Sequence, residues 1–548
     1  MNSRRILWCC CLGVAIELAT LVSECRLEAA PDSSISASPP AATSIQELRR
    51  KAADRRRRII FNNDGGDVNH TLPEVSAKGL LDQRTTMLVG TQVDSIFYCP
   101  RSVGLDSFTY FTKIGTVFTV HEDHYAENQM EALLAKDIDP LRVMVEFGKQ
   151  QDIEVFFSMR MNDTHDASYH PYGALSLRAN RLKMSHPEYL FGTAKKRPKY
   201  GAWTALDYGR PEVRERAFRL VEEVCRNYDV DGVELDFFRH PMYFKSTSSG
   251  KHATDVELDA MTSLMVRIRK MADEVGQSRG RPILIAVRTP DSAEYCRAMG
   301  LDLERWLADD LLDLFIPSGS FQLNEWDYSV ALGHKYGVKV YPSLESSRVS
   351  DLSGQNMRMT ELAYRARAAD AWRAGADGIH LFNFPESYRS DNSVLKELGS
   401  PQVLATLDKD YFGSARGIKN SSAGNLPFEP YLKLETLNPD KPSKIEPGAT
   451  ATAKLTLGEH LDRAAGAKLK LRLKMRGVPD AQHIQIALNG KNLEAKPSAD
   501  DWLESVPSNS DLRLGLNTVD VTLSEKANRP ATWSDVVLAV RHAKEGSP

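Results

Sequence analysis

Two carboxyl groups, Glu234 and Asp236, lie two residues apart in an apolar stretch that reads Y-D-V-D-G-V-E-L-D-F-F-R-H-P from Tyr228 to Pro241. Side chains along a strand alternate between its two faces, so both carboxyl groups share one face. The surrounding apolar residues indicate an inner strand of a parallel sheet that helices cover. Two acids on such a face are costly to bury without partners or a function. A structural ion pair with nearby Arg239 and a catalytic role are both open.

Acid and base catalysis is the chemistry that such a pair could do. Crowding of two acids on one face raises the pKa of one of them, which leaves a proton donor beside an ionised group. Glycosidases use two carboxyl groups in this way, about 5 to 5.5 Å apart in retaining enzymes and about 6.5 to 9.5 Å apart in inverting ones. Glu345, at the end of a later predicted strand, is the predicted distant partner, although a place too far out along its loop is also open.

The elements that must position these groups are short apolar runs that alternate with longer helical stretches from residue 59 to about 412. This alternation fits one (β/α)8 (TIM) barrel with long loops, whose active site would lie at the carboxyl ends of the strands. The eight predicted strands are Ile59 to Asn63, Ser95 to Cys99, Ile153 to Met159, Gly232 to Phe237, Ile283 to Val287, Leu312 to Ile316, Val338 to Pro342 and Gly378 to Phe382.

Polar, charged and aromatic residues at or after these strand ends are candidates for binding a substrate. Structural roles are equally open for several of them: Asp64 begins a turn sequence, Trp326 can be a core contact under a loop, and His380 can be a hydrogen-bonded core histidine. The full predicted set is Asn62, Asn63, Asp64, Tyr98, Arg160, Asn162, Arg239, His240, Arg288, Trp326, His380 and Asn383.

Three motifs around the acidic strand resemble a known family. They are H-P-E-Y from His186, L-D-Y-G-R-P-E-V-R from Leu206 and E-E-V-C-R-N-Y-D-V-D-G-V-E-L-D from Glu222. Together they resemble the glycosyl hydrolase-like 10 domain family of bacterial TIM-barrel proteins, over roughly residues 57 to 400. The resemblance implies a glycosidase-type barrel and fixes neither the sugar nor the stereochemistry. Tyr208 stands where such motifs commonly have a proline.

The rest of the chain divides by composition. Residues 1–30 resemble a signal peptide, with Arg4 and Arg5 before an apolar run, and they predict a secreted or periplasmic protein. Residues 31–56 are predicted to be a disordered tether, and the basic run from Arg55 to Arg58 is interpreted as a solvated lead-in. The barrel is assigned to residues 57–415 and a linker to residues 416–428. We expect a chain ending near Phe412 to remain folded and active.

Alternating segments in residues 429–548 predict a β-sandwich, for which carbohydrate binding and a spacer role are both open. Its predicted strands are Tyr431 to Leu437, Ala451 to Leu457, Lys468 to Met475, His483 to Leu488, Asn517 to Leu523 and Val536 to Val540, with a turn at Asn489-Gly490.

Overall composition excludes several classes of function. The net charge is only -3, which gives no indication of nucleic-acid binding. No second apolar stretch is long enough to span a bilayer. Only three of seven cysteines, Cys99, Cys225 and Cys296, lie beyond the signal segment, so a disulfide framework is not expected. No metal-ligand spacing is found, no cofactor is predicted, and the oligomeric state is not indicated.

The sequence therefore predicts an exported glycoside hydrolase that acts on a carbohydrate, with Glu234, Asp236 and Glu345 as its catalytic residues. One alternative is a non-catalytic barrel whose acids bind sugar hydroxyls. The other is an enzyme specific for sulfated or uronic glycans, in which Arg101, Arg160, Arg239 and Arg288 would bind the anionic groups.

Overall fold

A computed structural model describes residues 44–69, 71–168, 171–318, 322–345, 349, 351–382, 384, 392–414, 425–461, 466–478 and 481–543. No helix among these residues is long and apolar enough to cross a membrane. The cysteines Cys99, Cys225 and Cys296 are buried and free of disulfides. The candidate residue Asn383 lies outside the described residues.

Eight parallel strands close into a barrel, as predicted. The register runs from each strand to the next, and the sheet closes where Ser343 pairs with Ser318. The seventh strand consists of two short segments. The strands are β1 (Ile59–Asn63), β2 (Val93–Tyr98), β3 (Glu154–Arg160), β4 (Gly232–Asp236), β5 (Leu284–Pro290), β6 (Leu314–Ser318), β7 (Lys339–Val340 and Ser343–Glu345) and β8 (Ile379–Phe382).

Helices cover the barrel because the outward side chains of the strands are almost all apolar. The helix α7 begins at Pro211, as predicted from proline at a first helical position, and it buries Val213, Ala217 and Leu220. The helices are α1 (Ile45–Ala53), α2 (Ala77–Leu81), α3 (Met130–Ala135), α4 (Pro140–Gln151), α5 (Pro171–Ala179), α6 (Arg181–Ser185), α7 (Pro211–Asn227), α8 (Asp255–Arg279), α9 (Ala293–Ala298), α10 (Leu303–Ala308), α11 (Trp326–Lys335), α12 (Leu352–Arg358), α13 (Glu361–Arg373) and α14 (Pro401–Leu404).

Inward side chains fill the barrel in layers. At the amino end of the strands, the Arg57 guanidinium donates to the Glu154 carboxylate at 2.7 and 2.9 Å. Gly232 leaves the room that the Phe156 ring occupies, since a Cβ there would lie 2.2 Å from it. Above these groups, inward apolar side chains form one cluster, which comprises Ile60, Phe97, Phe156, Leu284, Ala286, Leu314, Ile316 and Tyr341. The charged groups that could do chemistry therefore lie at the carboxyl end.

The amino end is closed by a helix where the sequence predicted a disordered tether. Ser44 and Glu47 form a capping box that starts α1. Arg49, on its buried face, contacts Asp313 at 2.9 Å, and the end of the helix packs against the apolar layer inside the barrel. The basic run is a solvated lead-in only in part, since Arg55 and Arg56 are exposed, whereas Arg57 is 0% exposed and Arg58 is partly buried.

Ten further strands form two antiparallel sheets that share one core. They are β9 (Lys409–Phe412), β10 (Ser443–Ile445), β11 (Thr450–Leu457), β12 (Lys468–Arg476), β13 (Ile484–Leu488), β14 (Lys491–Leu493), β15 (Lys496–Pro497), β16 (Trp502–Ser505), β17 (Gly515–Leu523) and β18 (Ala531–Arg541). One sheet has the order β9-β18-β12-β16-β15, with β10 also on β18, and the other has the order β11-β17-β13-β14. Side chains from both sheets meet in a single cluster.

The predicted β-sandwich is present, but two details differ from the sequence analysis. Residues 431–437 form no strand, since only Leu437 makes an isolated bridge, to Ser414. The strand β9 lies within the range assigned to the barrel, yet it pairs with the last strand of the sandwich. The two domains therefore overlap along the chain instead of meeting at a linker.

Candidate active site

Glu234 and Asp236 lie on the inward face of β4, as the alternation predicted. The register of the barrel sets Glu234 beside Ser158 and Asp236 beside both Arg160 and Arg288. The residues Glu234 and Asp236 are 0% and 1% exposed. Asp236 lies at the carboxyl end of the strand, and Glu234 is one layer deeper.

Arg288 is the cation that holds these acids. Its Nη1 atom donates to both oxygens of Asp236 at 2.9 Å, and its Nη2 atom donates to Glu345. The guanidinium is itself 0% exposed and lies over the Phe382 ring, 3.7 Å from the centroid. One arginine therefore bridges carboxylates from two strands, β4 and β7, that are not neighbours in the sheet.

Glu345 belongs to this cluster and is not displaced along its loop. It ends β7 and is 2% exposed. Its carboxylate also accepts a hydrogen bond from Ser318, and its backbone carbonyl accepts one from Arg367 at 2.6 Å. The side chain and the backbone of Glu345 are thus both fixed.

Glu234 differs from the other two acids because it accepts no hydrogen bond from an arginine. Ser158 donates to one of its oxygens, and the other oxygen has no hydrogen-bond partner among the described residues. Burial, and then the charge of Asp236, raise the pKa of Glu234 to about 8. Near neutral pH this carboxyl therefore carries a proton.

His380 faces Glu234 from β8. Its Nδ1 atom lies 2.9 Å from the Ser343 hydroxyl, and its Nε2 atom lies 3.8 Å from Glu234. Burial and the charge of Arg288 hold the pKa of His380 well below its usual value. The site thus combines a protonated carboxyl and a neutral imidazole with two carboxylates that share an arginine, a set that can donate a proton and stabilise positive charge.

A second polar cluster lies beside Asp236 and involves Arg239, the residue first considered as its ion-pair partner. The backbone N–H of Arg239 donates to Asp236 at 3.0 Å, but its guanidinium contacts His165 Nε2 at 2.6 Å. His165 Nδ1 in turn lies 2.8 Å from Asp163, which also accepts from Arg160 at 3.1 Å. Arg239 therefore supports a neighbouring hydrogen-bond network and does not hold the carboxylates through its side chain.

Asp163, His165 and His240 bring ligand-type atoms within 4.8 Å of one another, which raises the question of a metal. His240 Nδ1 accepts from the backbone N–H of Thr164 at 3.2 Å, and His165 Nε2 accepts from Arg239. Burial lowers the pKa of both imidazoles, and Arg239 lowers it further. These imidazole nitrogens already accept hydrogen bonds, and two guanidinium groups lie nearby. The cluster therefore does not suit a metal cation.

The remaining candidates on β1 and its loop have different positions. Asn62 points into the barrel, and its Oδ1 atom has no partner among the described residues. Asn63 instead fixes the turn, since it donates to Asp67 at 2.8 Å and accepts from Gly65 at 3.0 Å. Asp64 is paired with Arg84. Asn62 is thus the member of this group that could contact a substrate.

Tyr98, Asn162 and Trp326 lie away from the carboxylates. Tyr98 is buried in the core between the barrel and its helices. Asn162 donates to the backbone carbonyls of Leu206 and Met242, at 3.0 and 2.6 Å, and so ties two loops together. Trp326 is the first residue of α11 and is buried in the core, not on a loop over the mouth.

The four arginines considered for an anionic substrate are already engaged within the protein. Arg101 donates to Tyr125 and Ser176, both at 2.9 Å, and lies 3.5 Å from the centroid of the Phe118 ring. The other three contact Asp163, His165 and the Asp236–Glu345 pair as described above. All four guanidinium groups thus already have partners within the protein.

Sequence reasoning missed three residues that hold the site: Ser158, Ser318 and Arg367. Ser158 lies near the carboxyl end of β3, and Ser318 is the last residue of β6. A small polar residue at the end of a strand was the sequence signal that could have identified them. Arg367 lies on α13 and acts on the backbone, for which no sequence signal exists.

The fold and the site define a (β/α)8-barrel protein with a buried carboxylate centre and a fused β-sandwich. No family model and no curated protein matches the chain. Similar solved structures include a glycoside hydrolase family 18 N-acetylglucosaminidase from Paenibacillus barengoltzii, with 11% identity and a TM-score of 0.35 over 63% of this chain and 100% of that chain.

Two further similar structures span more of this chain. Alpha-L-fucosidase isoenzyme 2 from Paenibacillus thiaminolyticus has 10% identity and a TM-score of 0.41, covering 89% of this chain and 100% of its own. A GH36 alpha-galactosidase from Geobacillus stearothermophilus has 11% identity and a TM-score of 0.34, covering 91% of this chain and 58% of its own. At these scores no residue role is carried over from a neighbour.

Proposed function

We propose that the protein is an exported glycoside hydrolase that cleaves glycosidic bonds in a poly- or oligosaccharide by carboxylate acid/base catalysis. The observation that carries the proposal is the set of three carboxyl groups at the barrel mouth. One is protonated by its surroundings, and the other two, Asp236 and Glu345, share Arg288. Membership of the glycosyl hydrolase-like 10 domain family and export through the N-terminal segment belong to the same proposal.

The roles follow from the environment of each group. Glu234 holds the proton that a leaving-group oxygen needs, and Glu345, on the opposite side of the barrel, is the nucleophile. Asp236 fixes Arg288 and contributes negative charge towards an oxocarbenium-like transition state. Because one guanidinium bonds both Asp236 and Glu345, the nucleophile is held in place beside Asp236.

A non-catalytic carbohydrate-binding barrel is the second candidate, and one observation favours it. The three carboxyl groups are at most 2% exposed, and two are already bonded to Arg288. Such a network can stabilise the barrel without acting on a substrate. Turnover separates the two candidates, because only a hydrolase releases sugars.

The test is the release of sugars from a library of neutral and anionic glycans by the wild-type protein and by Asp236→Asn. The amide keeps the size of the side chain and its two backbone hydrogen bonds but removes the charge, so kcat should fall by roughly 10² or more. Absence of turnover on every glycan, or an Asp236→Asn variant with wild-type kcat, would show that the proposal is wrong.

Glu154→Gln is the matched control. Glu154 is also a buried acid bonded to an arginine and a serine, but it lies at the closed amino end of the barrel. Its substitution should lower the melting temperature and leave kcat within about twofold of wild type, because it is remote from the mouth.

A further inference from the structure

The strand β12 presents five cations on one face. It reads K-L-K-L-R-L-K-M-R, and its apolar residues alternate inward, where Leu469, Leu471, Leu473 and Met475 are buried in the sandwich core. The outward residues, called the cation row below, are Lys468, Lys470, Arg472, Lys474 and Arg476. The two end residues and Lys470 are exposed, and the other two are partly buried.

Acids neutralise the cation row only in part. Lys470 and Arg472 share Glu504, at 2.9 and 3.3 Å. Arg476 contacts Asp501 at 3.1 Å, and Lys474 lies 4.0 Å from Asp351. Lys468 has no ion pair among the described residues, and its neighbour in the register, Arg541, is paired with Asp410 at 2.7 Å. Five cations thus face three acids on a molecule whose overall charge is negative.

We infer that the cation row binds an anionic polysaccharide, sulfated or uronic, along the length of β12. Alternate residues of a strand are about 6.8 Å apart, so a linear polyanion lying on the strand meets a cation at each such step. Exposed charges on flexible side chains bind by summed electrostatic attraction, which does not require a deep pocket.

A polysaccharide suits this face better than a single-stranded nucleic acid does. Single strands bind through bases stacked on exposed aromatic rings. In the described part of the chain, the ring that cations of the row contact is that of Trp502. This residue is 6% exposed, and the Arg472 guanidinium covers its ring at 4.5 Å from the centroid. The face therefore offers charge without a stacking platform.

The position of the cation row also favours a glycan. Lys474 lies beside Asp351, which follows Glu345 closely in the chain and caps α12. The row therefore ends near the segment that leaves the active-site strand β7. The choice of a polysaccharide as the polyanion rests on the proposed hydrolase function, but the binding itself does not require turnover.

The experiment measures binding of the full-length protein to dextran sulfate, to uncharged dextran and to single-stranded DNA at low salt. The variant Lys468→Ser/Lys470→Ser/Arg476→Ser removes the most exposed cations. The matched control, Lys195→Ser/Lys196→Ser/Arg197→Ser, removes the same residue types from an exposed loop of the barrel. Circular dichroism and melting temperature report whether each variant is folded.

Wild type should bind dextran sulfate and not dextran, and the row variant should bind it about tenfold more weakly, since each exposed ion pair contributes a modest factor. The control should change affinity by no more than about twofold. Unchanged affinity of the row variant would overturn the inference. An equal loss in the control, or tighter binding of single-stranded DNA than of dextran sulfate, would do so as well. If the protein released no sugar from any glycan, these affinities would be unaffected. Failure of the proposed hydrolase function and failure of this inference are therefore distinguishable.

Discussion

Glu234 is protonated because of its place in the barrel, one layer below the arginine-bonded acids. Its folded-state pKa of about 8 exceeds the ordinary value of 4.5, so over that interval the folded protein holds a proton that the unfolded chain releases. The free energy of unfolding must therefore fall as pH rises through this interval. Glu234→Gln removes the ionisation and keeps the shape, so this part of the decline should disappear.

The measurement is the melting temperature of wild type and Glu234→Gln across that interval. The variant should gain stability relative to wild type as pH rises. The Asp291 carboxyl, whose pKa burial raises to about 7, contributes a decline that both proteins share. His380 has the opposite sign: because its pKa is lowered, both proteins lose stability as pH falls below about 6.5. Parallel curves for the two proteins would contradict the protonation of Glu234.

At the residue scale, alternation along one strand was predictable from the sequence and contacts between strands were not. The shared face of Glu234 and Asp236 follows from their spacing alone. The identity of their arginine depends on the register between β4 and β5, which sets Asp236 beside Arg288. Arg239 is closer in the chain, but it follows the strand, and its side chain turns to His165.

At the scale of elements, a chain of arginines links the sandwich to the active-site strand. Asp535 on β18 accepts from Arg358 at 2.8 Å, and the carbonyl of Arg358 accepts from Arg367 at 3.4 Å. Arg367 then donates to the carbonyl of Glu345. Arg367 is therefore a positioning residue, which acts on the proposed nucleophile, Glu345, through its backbone.

Arg367→Met should lower kcat by about tenfold with little change in KM, because a displaced nucleophile weakens the transition state more than the bound substrate. Arg367→Lys should recover part of the loss, since an ammonium can still donate to the carbonyl. Arg365→Met, on the same helix but paired with Glu397, is the matched control and should affect only the melting temperature. Equal kinetic losses for Arg365 and Arg367 would contradict a positioning role.

The elements themselves were largely predictable, because buried parallel strands are apolar runs of characteristic length. All eight barrel strands lie where the sequence placed them, to within a few residues. The helix α1 was missed because the preceding Ser, Ala and Pro residues dominated the composition. Its capping box, Ser44 with Glu47, was a readable signal.

At the scale of the whole molecule, the barrel and the sandwich are not separable units. Residues Ser44–Pro548 cluster as one compact body. Ala366 and Ala369 of the barrel helix α13 belong to the sandwich core, and Gly458 packs so tightly on Ala369 that a Cβ would lie 2.4 Å from its backbone. Sequence composition marked a linker here, but it could not reveal that the strand before the linker pairs with the last strand of the chain.

A chain ending at Phe412 should therefore aggregate or melt far below the full-length protein, contrary to the expectation from sequence. It would expose the apolar face of α13 and leave β9 without its partner β18. Size-exclusion chromatography and thermal unfolding of the truncated chain check this. If the fragment were monomeric and melted cooperatively, the barrel would fold independently of the sandwich.

The helix α1 also fixes the direction from which the polypeptide enters the barrel. Ser44 begins a helix whose end packs against the bottom of the barrel interior, on the side opposite to Asp236 and Glu345. A label or surface coupled to a residue on α1 is therefore held at the amino end of the barrel. Such a coupling would leave the carboxyl ends of the strands, with Asp236 and Glu345, uncovered.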